Sequence, residues 1–397
     1  MSNIIIINLV FIITILSLLV GRLFQHKKRI VLSSVSDIVA LLDPPGSTIP
    51  DLLLARSKPN VRLVHSFGLQ NTFVSAGRVV RKQFVTRARD ILRQHTRHFV
   101  AFPDTVRGVV AGSALRLQSP SREPSIPFAT FIQVVTLRIV VSSLLGGNVP
   151  EDSDDETVFV VEAINDLWTL SKRNSHSPPT ALLESLNMHL HQWMPELYER
   201  PLDYVIPAYE TMWRVIAVTV ARAIHDRGAC AAFSAYLESP NQDQFVRFED
   251  ARPQQPSVEA FISEVLRLHP PSRGLARAAA PVRWFQFLSW AQPAMTHVAD
   301  IEALHKDAAI WGSDATVFDP MRFHASRLSY CQKHAFIPFS CGPLRCVAFK
   351  EAPRFAAIVA AAVLEIVSVP EGRYQLVCGE KIGRREGWEG WSLEARS

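Results

Sequence analysis

The stretch Phe336–Lys350, FIPFSCGPLRCVAFK, sets Phe339, Gly342 and Cys346 in a Phe-x-x-Gly-x-x-x-Cys order. Pro338 and Pro343 deny it a strand or helix interior, so it reads as a rigid loop. Behind it Ala352, Phe355, Ala356, Val359, Val363 and Ile366 recur at helical spacing, which puts Cys346 at the start of an amphipathic helix. Unpaired N–H groups and the positive end of the helix dipole there favour a thiolate, the form of cysteine that ligates a metal. Other fates are open to Cys346. It could be a buried structural thiol, or join Cys331, His334 and Cys341 at a zinc ion, although C-x2-H followed by C-x4-C departs from the usual zinc knuckles.

Two further groups could do chemistry. Glu264 and Arg267 lie three apart on one face of a helix opened by Pro256-Ser257 and closed by Pro270-Pro271; alone, such a pair is ordinary surface electrostatics. Glu210 and Thr211 follow Pro207 in VIPAYETMWRVIAVTVARAIHDRG, whose apolar run Met212 to Ile224 predicts a buried central helix that stops at Gly228. Inside a helix Pro207 removes one hydrogen bond and opens a kink, at a cost of about 3 kcal/mol. Taken alone, an acid before a threonine is a helix-surface pair.

The elements that must position these groups are mostly helical. Phe128–Leu145, Val158–Leu170 and Ala181–Trp193 are apolar helix candidates, and the acidic run Glu151–Glu156 reads as a surface loop. From Arg78 to Arg97 seven basic residues (Arg78, Arg81, Lys82, Arg87, Arg89, Arg93, Arg97) meet one acid, Asp90, in a helix-compatible pattern. A turn is expected at Asp43-Pro44-Pro45-Gly46. No phosphate-binding glycine fingerprint and no internal repeat is present.

The 397 residues, 48% apolar and 20% charged, describe a globular protein with room for a large core. The net charge of +5 is mostly local, which gives no reason to expect nucleic acid as a partner. Five cysteines without regular spacing argue for a reducing compartment rather than a disulfide framework. Ile4 to Val20 is uncharged and almost wholly apolar, and His26, Lys27, Lys28 and Arg29 follow it. We read residues 1–29 as a membrane anchor with a span of about 4–24 and residues 30–397 as the remaining domain on the cytosolic side. A cleaved signal peptide is the competing reading, but the segment before the span carries no Lys or Arg and no A-x-A-like site follows.

The cysteine loop resembles the haem-binding loop of the cytochrome P450 family. Glu264-Val-Leu-Arg267-Leu-His-Pro-Pro271 is similar to that family's Glu-x-x-Arg helix, and Phe318-Asp-Pro-Met-Arg322-Phe323 to the loop whose arginine completes a buried triad. Ala208-Tyr-Glu210-Thr211 resembles its oxygen-activation motif. The resemblance implies a mainly α P450-like fold with small β-sheets, preceded by one transmembrane helix. It implies haem b (iron protoporphyrin IX) on Cys346, with Phe339, Gly342, Arg345 and Arg277 around it, structural support from Glu264, Arg267 and Arg322, and Thr211 and Glu210 in catalysis. A thiolate ligand favours O–O cleavage, so the implied activity inserts one oxygen atom of O2 into an apolar small molecule. Electrons would come from NADPH through NADPH-cytochrome P450 reductase, at the endoplasmic reticulum membrane. Asn71-Thr-Phe-Val74 and Tyr209-Glu-Thr-Met-Trp-Arg214 are most similar to fungal members of specialised metabolism. Three departures qualify the likeness: Leu344 stands where a propionate-binding Arg is usual, Ala348 where a Gly is, and the part before Thr211 is shorter and shows no early strands. The alternatives are a decayed or regulatory haem protein, or a relative that rearranges or dehydrates its substrate without added reductant.

Overall fold

The first described elements are strand β1 (Arg29–Leu32) and helix α1 (Val35–Leu42). The structure, a computed structural model, describes residues 29–97, 99–118, 125–173, 180–195, 199–248, 255–279, 295–367 and 372–396. The expected span at about 4–24 lies outside these. Among the described residues no helix is long and apolar enough to cross a membrane.

Helix α2 (Ile49–Phe67) starts on a reciprocal Thr48/Asp51 cap and stops where Gly68 takes φ 64, the left-handed geometry a side chain resists. Basic α3 (Arg78–Arg97) has the predicted bounds. Next come α4 (Phe102–Leu117), β2 (Ser125–Pro127), and α5 (Phe128–Ile139), which runs into a π-helical turn at Val140–Leu144. The following helices are α6 (Asp154–Leu170), α7 (Thr180–Trp193), α8 (Leu202–Ala223), α9 (Arg227–Glu238), α10 (Gln242–Val246) and α11 (Val258–Leu268). Strands β3 (Gly274–Ala278) and β4 (Thr296–Asp300) precede the short helices α12 (Ile301–His305), α13 (Ala308–Trp311) and α14 (Tyr330–Ala335). The chain continues through α15 (Glu351–Val367), β5 (Tyr374–Val377) and β6 (Ser392–Ala395).

Apolar α8 and α15 form the centre. They pack on each other, α8 also meets α5 and α11, and α15 also meets α4 and α9. Two three-stranded sheets flank this core, in the orders β1-β4-β3 and β2-β6-β5. A smaller apolar cluster of Ile38, Leu42, Ile301, Leu304, Trp311, Ala335 and Ile337 lies beside the cysteine loop.

Four expectations are corrected. Helix α8 ends at Ala223, because Asp226 caps α9 by accepting the Ala229 N–H at 3.0 Å, so Gly228 belongs to the next helix. Helix α15 starts at Glu351, five residues beyond Cys346, which therefore does not sit at a helix N-terminus. The acidic run 151–156 is not all surface: buried Asp154 opens α6 and pairs with Arg138 at 2.7 Å and Arg116 at 2.8 Å. An early strand does exist. Four-residue β1 pairs in parallel with β4, too short a segment to announce itself by alternation.

Candidate functional site

Pro207 removes an N–H from the first turns of α8, so the carbonyl four residues back, that of Asp203, has no partner within the helix. Asn71 supplies one. Its Nδ2 donates to that carbonyl at 2.8 Å, while the Asp203 carboxylate accepts the N–H groups of Gln70 at 2.8 Å and Asn71 at 3.1 Å. The proline break is thus stitched to the segment before α3. Beyond it Glu210 is buried and Thr211 half-buried. Both Glu210 oxygens are taken. Arg385 Nη1 donates to Oε2 at 2.9 Å and its Nη2 donates to Oε1, while Arg214 lies 3.1 Å from Oε1.

Glu264 and Arg267 are not a surface pair, since both side chains are wholly buried. Arg267 grips the Glu264 carboxylate with two bonds of 2.7 Å. Its Nη1 also donates to the carbonyls of His305 at 2.7 Å and Ala315 at 2.6 Å. Glu264 Oε1 accepts the Asp319 N–H at 2.9 Å and has Arg322 Nε 3.9 Å away; Arg322 in turn holds the Trp311 carbonyl at 2.9 Å and Asp314 at 2.9 Å. Burial raises the Glu264 carboxyl, and Arg267, the Asp319 N–H and Arg322 pull it back. The three residues named from sequence therefore do meet, and they bind backbone on both sides of α13.

His305 extends this network to the cysteine loop, and nothing in the sequence singled it out. Its carbonyl receives Arg267, and its Nε2 accepts the Ile337 N–H at 3.2 Å, which assigns the ring proton to Nδ1. Burial and nearby Arg267 push its pKa down to about 3. The imidazole is neutral.

The loop closes on itself. Cys346 N–H donates to the Phe339 carbonyl at 3.0 Å and Arg345 N–H to that of Gly342 at 3.1 Å. Gly342 has φ 66, and a Cβ there would meet that of Asp43 at 2.6 Å, so both the turn and the approach of α1 exclude a side chain. Cys346 is accessible, yet burial is the largest influence on its thiol and pushes the pKa up; the Ala348 N–H and Arg345 pull it back. Backbone and a neighbouring cation thus replace the helix terminus expected from sequence. Arg345 lies exposed over the Phe349 ring at 3.7 Å. Leu344 is buried with Leu52 and Leu53 of α2. For zinc, no group of three His, Cys, Asp or Glu side chains converges among the described residues.

Beside the loop stand three cations. Arg81 of α3 donates to the Pro343 carbonyl at 2.9 Å. Arg277 on β3 is buried, donates to the Ala276 carbonyl at 2.9 Å, and leaves its Nε without a partner. Arg56 on α2 is likewise buried with an orphaned Nε, and its Nη2 donates to Thr72 Oγ1 at 2.7 Å. Burial, Arg277 and Arg81 lower Arg56 to about 9, and burial lowers Arg277 to about 10. Neither meets a carboxylate among the described residues. Buried guanidinium groups with spare donors next to a clamped cysteine fit a planar dicarboxylate ligated through sulfur, as haem b is. Arg277 was legible from sequence, whereas Arg56 was one polar residue in an unremarked helix.

The clamped cysteine and the cations beside it are the arrangement that a haem-thiolate site would use. The cytochrome P450 family model matches residues 241–347. Two solved structures, the haem domain of cytochrome P450DA and a mutant of it, superpose with TM-scores of 0.61 and 0.63 at 14% and 15% identity. They cover 94% and 93% of this chain and 87% of their own. Among curated relatives, Cytochrome P450 CYP749A22 of Panax ginseng is 35% identical over 33% of this chain and 24% of its own length. Cytochrome P450 734A5 of Oryza sativa subsp. japonica is 30% identical over 43% and 32%. Benzoate 4-monooxygenase bphA of Aspergillus niger is 52% identical over 11% and 8%. These alignments span no more than a third of those relatives' lengths. The family model and these relatives match part of the sequence, and the two solved structures show the P450 fold over the described residues.

Proposed function

We propose that the chain is a haem-thiolate monooxygenase that inserts one oxygen atom of O2 into an apolar small molecule. Haem, when bound, supplies O2 activation. Cys346 would be its axial ligand, Arg56, Arg81 and Arg277 would hold its propionates, and Phe339 and Gly342 shape the turn. The observation that carries this is the self-closed Cys346 loop, bolted through His305 to the buried Glu264–Arg267 pair, beside buried Arg56 and Arg277, which meet no acid among the described residues. Thr211, next to the proline break in α8, would anchor a water for proton delivery, and Glu210 would contribute by opening a contact to Arg385 or Arg214. Electrons would come from NADPH through a reductase, on whose side basic α3 would lie. A single-pass anchor at about 4–24 would hold the chain on the endoplasmic reticulum. The short likeness to a benzoate 4-monooxygenase of Aspergillus niger supports a fungal type, for which a role in specialised metabolism is the reading.

The test is the spectrum of the purified, reduced, CO-treated protein. A red-shifted thiolate Soret band is expected in wild type and in Cys341→Ser and is lost in Cys346→Ser; a band that persists in Cys346→Ser would remove the ligand assignment.

A further inference from the structure

A second group of cations gathers about Glu210 of α8 and the Trp168 ring. Arg214 (α8) and Arg385 (the segment before β6) hold one carboxylate, Glu210, and Arg62 (α2) shares the Trp168 ring with Arg385. Arg385 binds Glu210 in the bidentate manner already described and also donates to Asn165 Oδ1 at 3.2 Å. Arg214 is spent on Glu210, on the Glu210 carbonyl at 3.0 Å and on the Pro271 carbonyl at 2.9 Å. Arg62 has no such partner. It donates to Ser171 Oγ at 2.5 Å, and its guanidinium lies 5.1 Å from the Trp168 ring centroid. The Arg385 guanidinium stands 4.7 Å from the same ring. Two cations on one indole repel each other, and three guanidinium groups against one carboxylate leave an excess of two positive charges. Burial and Arg385 lower the Arg62 pKa, and Lys172 is lowered by burial, Arg385, Arg62 and Arg214 with Glu386 opposing, so a fourth cation feels the same net positive field. Among the described residues Arg62 meets no acid. A structural ion pair needs Arg385 or Arg214 with Glu210; it does not need Arg62.

We propose that Arg62, Arg385 and the Trp168 ring form a binding site for the carboxylate of an acidic aromatic or aliphatic substrate. The proposal rests on the monooxygenase reading and narrows its substrate class from apolar molecules to apolar monocarboxylic acids. The excess charge is partly withdrawn from water, where a carboxylate gains more than at an exposed cation, and Trp168 offers an apolar face beside it. Glu210 and Thr211 are consecutive on α8, so the charge anchor sits at the level of the threonine assigned to proton delivery.

The experiment is calorimetric titration of the full, haem-loaded chain with biphenyl-4-carboxylate and with biphenyl-4-carboxamide, an uncharged isostere. Wild type is expected to bind the acid about tenfold more tightly than the amide. Arg62→Gln should bring the two within about twofold without changing amide affinity, and Arg62→Lys should restore part of the preference. Equal binding of acid and amide by wild type overturns the proposal, as does an unchanged preference in Arg62→Gln. So does inorganic phosphate displacing the acid at equal concentration, which would mark a general anion site. If both variants fail to fold, the wild-type ratio alone decides. The CO spectrum of the same sample keeps the two readings apart: an acid preference without a thiolate band would sink the monooxygenase and leave the carboxylate site standing.

Discussion

His305 makes the cysteine loop sensitive to acid. The folded protein holds this imidazole neutral, with a pKa near 3 against 6.5 for a free side chain, because it is fully buried and close to Arg267. The folded pKa is depressed, so the stability it contributes is complete above about pH 6.5 and is lost as pH falls toward 3, where the unfolded chain takes up a proton that the folded chain refuses. One pKa unit is worth about 1.4 kcal/mol, so the loss is about 2 kcal/mol at pH 5 and approaches about 5 kcal/mol near pH 3. His269, lowered to about 4 by burial and then Arg222, adds its own loss in the same window. His305→Gln separates the two. Glutamine places an oxygen where Nε2 accepts the Ile337 N–H, keeping the loop contact at neutral pH while removing the titration. Urea unfolding at pH 7.5 and pH 5 should show the wild-type difference shrink by about 2 kcal/mol in the variant. An equal difference in both proteins would mean that His305 is protonated in the folded state or open to water.

Other perturbations follow from the same contacts. Glu264→Gln leaves Arg267 buried with one partner fewer and should cost about 3 to 5 kcal/mol by denaturant unfolding; a cost under about 1 kcal/mol would show the pair to be exposed in solution. Asn71→Ala deprives the Asp203 carbonyl of its donor and should cost about 1 to 3 kcal/mol, whereas Pro207→Ala in the same background should recover most of it by restoring an N–H within α8. Arg56→Gln should lower haem retention in a competition with apomyoglobin while leaving the thiolate band of the bound fraction unshifted, since the change touches the propionate side and not the sulfur.

What could be read in advance was local. Ser257 as cap and Pro270 as stop bounded α11 within a residue or two, because both signals directly flank the helix they delimit. The basic stripe of α3 and the glycine turn at Gly342 were legible for the same reason. Contacts between segments far apart in sequence were not. Arg385 meets Glu210 across 175 positions and Asn71 meets Asp203 across 132, and neither partner carries a periodic signal. The thiol environment was misjudged because helix periodicity beyond Cys346 does not say where the first hydrogen-bonded turn closes, and Ala348 to Lys350 are spent before it does.

The departure at Leu344 looks different once α2 is in place. A leucine there would be a lost cation if the rest of the loop stayed as the family builds it. Here Leu344 is buried against Leu52 and Leu53, so it fastens α2 to the cysteine loop. One turn further along the same helix is Arg56, buried, with an orphaned Nε and no acid near it among the described residues. Leu344 therefore packs the helix that carries Arg56, which on the proposed reading would hold a propionate in place of an arginine at 344. An arginine restored at 344 would push a charge into an apolar contact and loosen α2, and with it Arg56. The two positions are one arrangement, and neither can be judged by its own column of the motif.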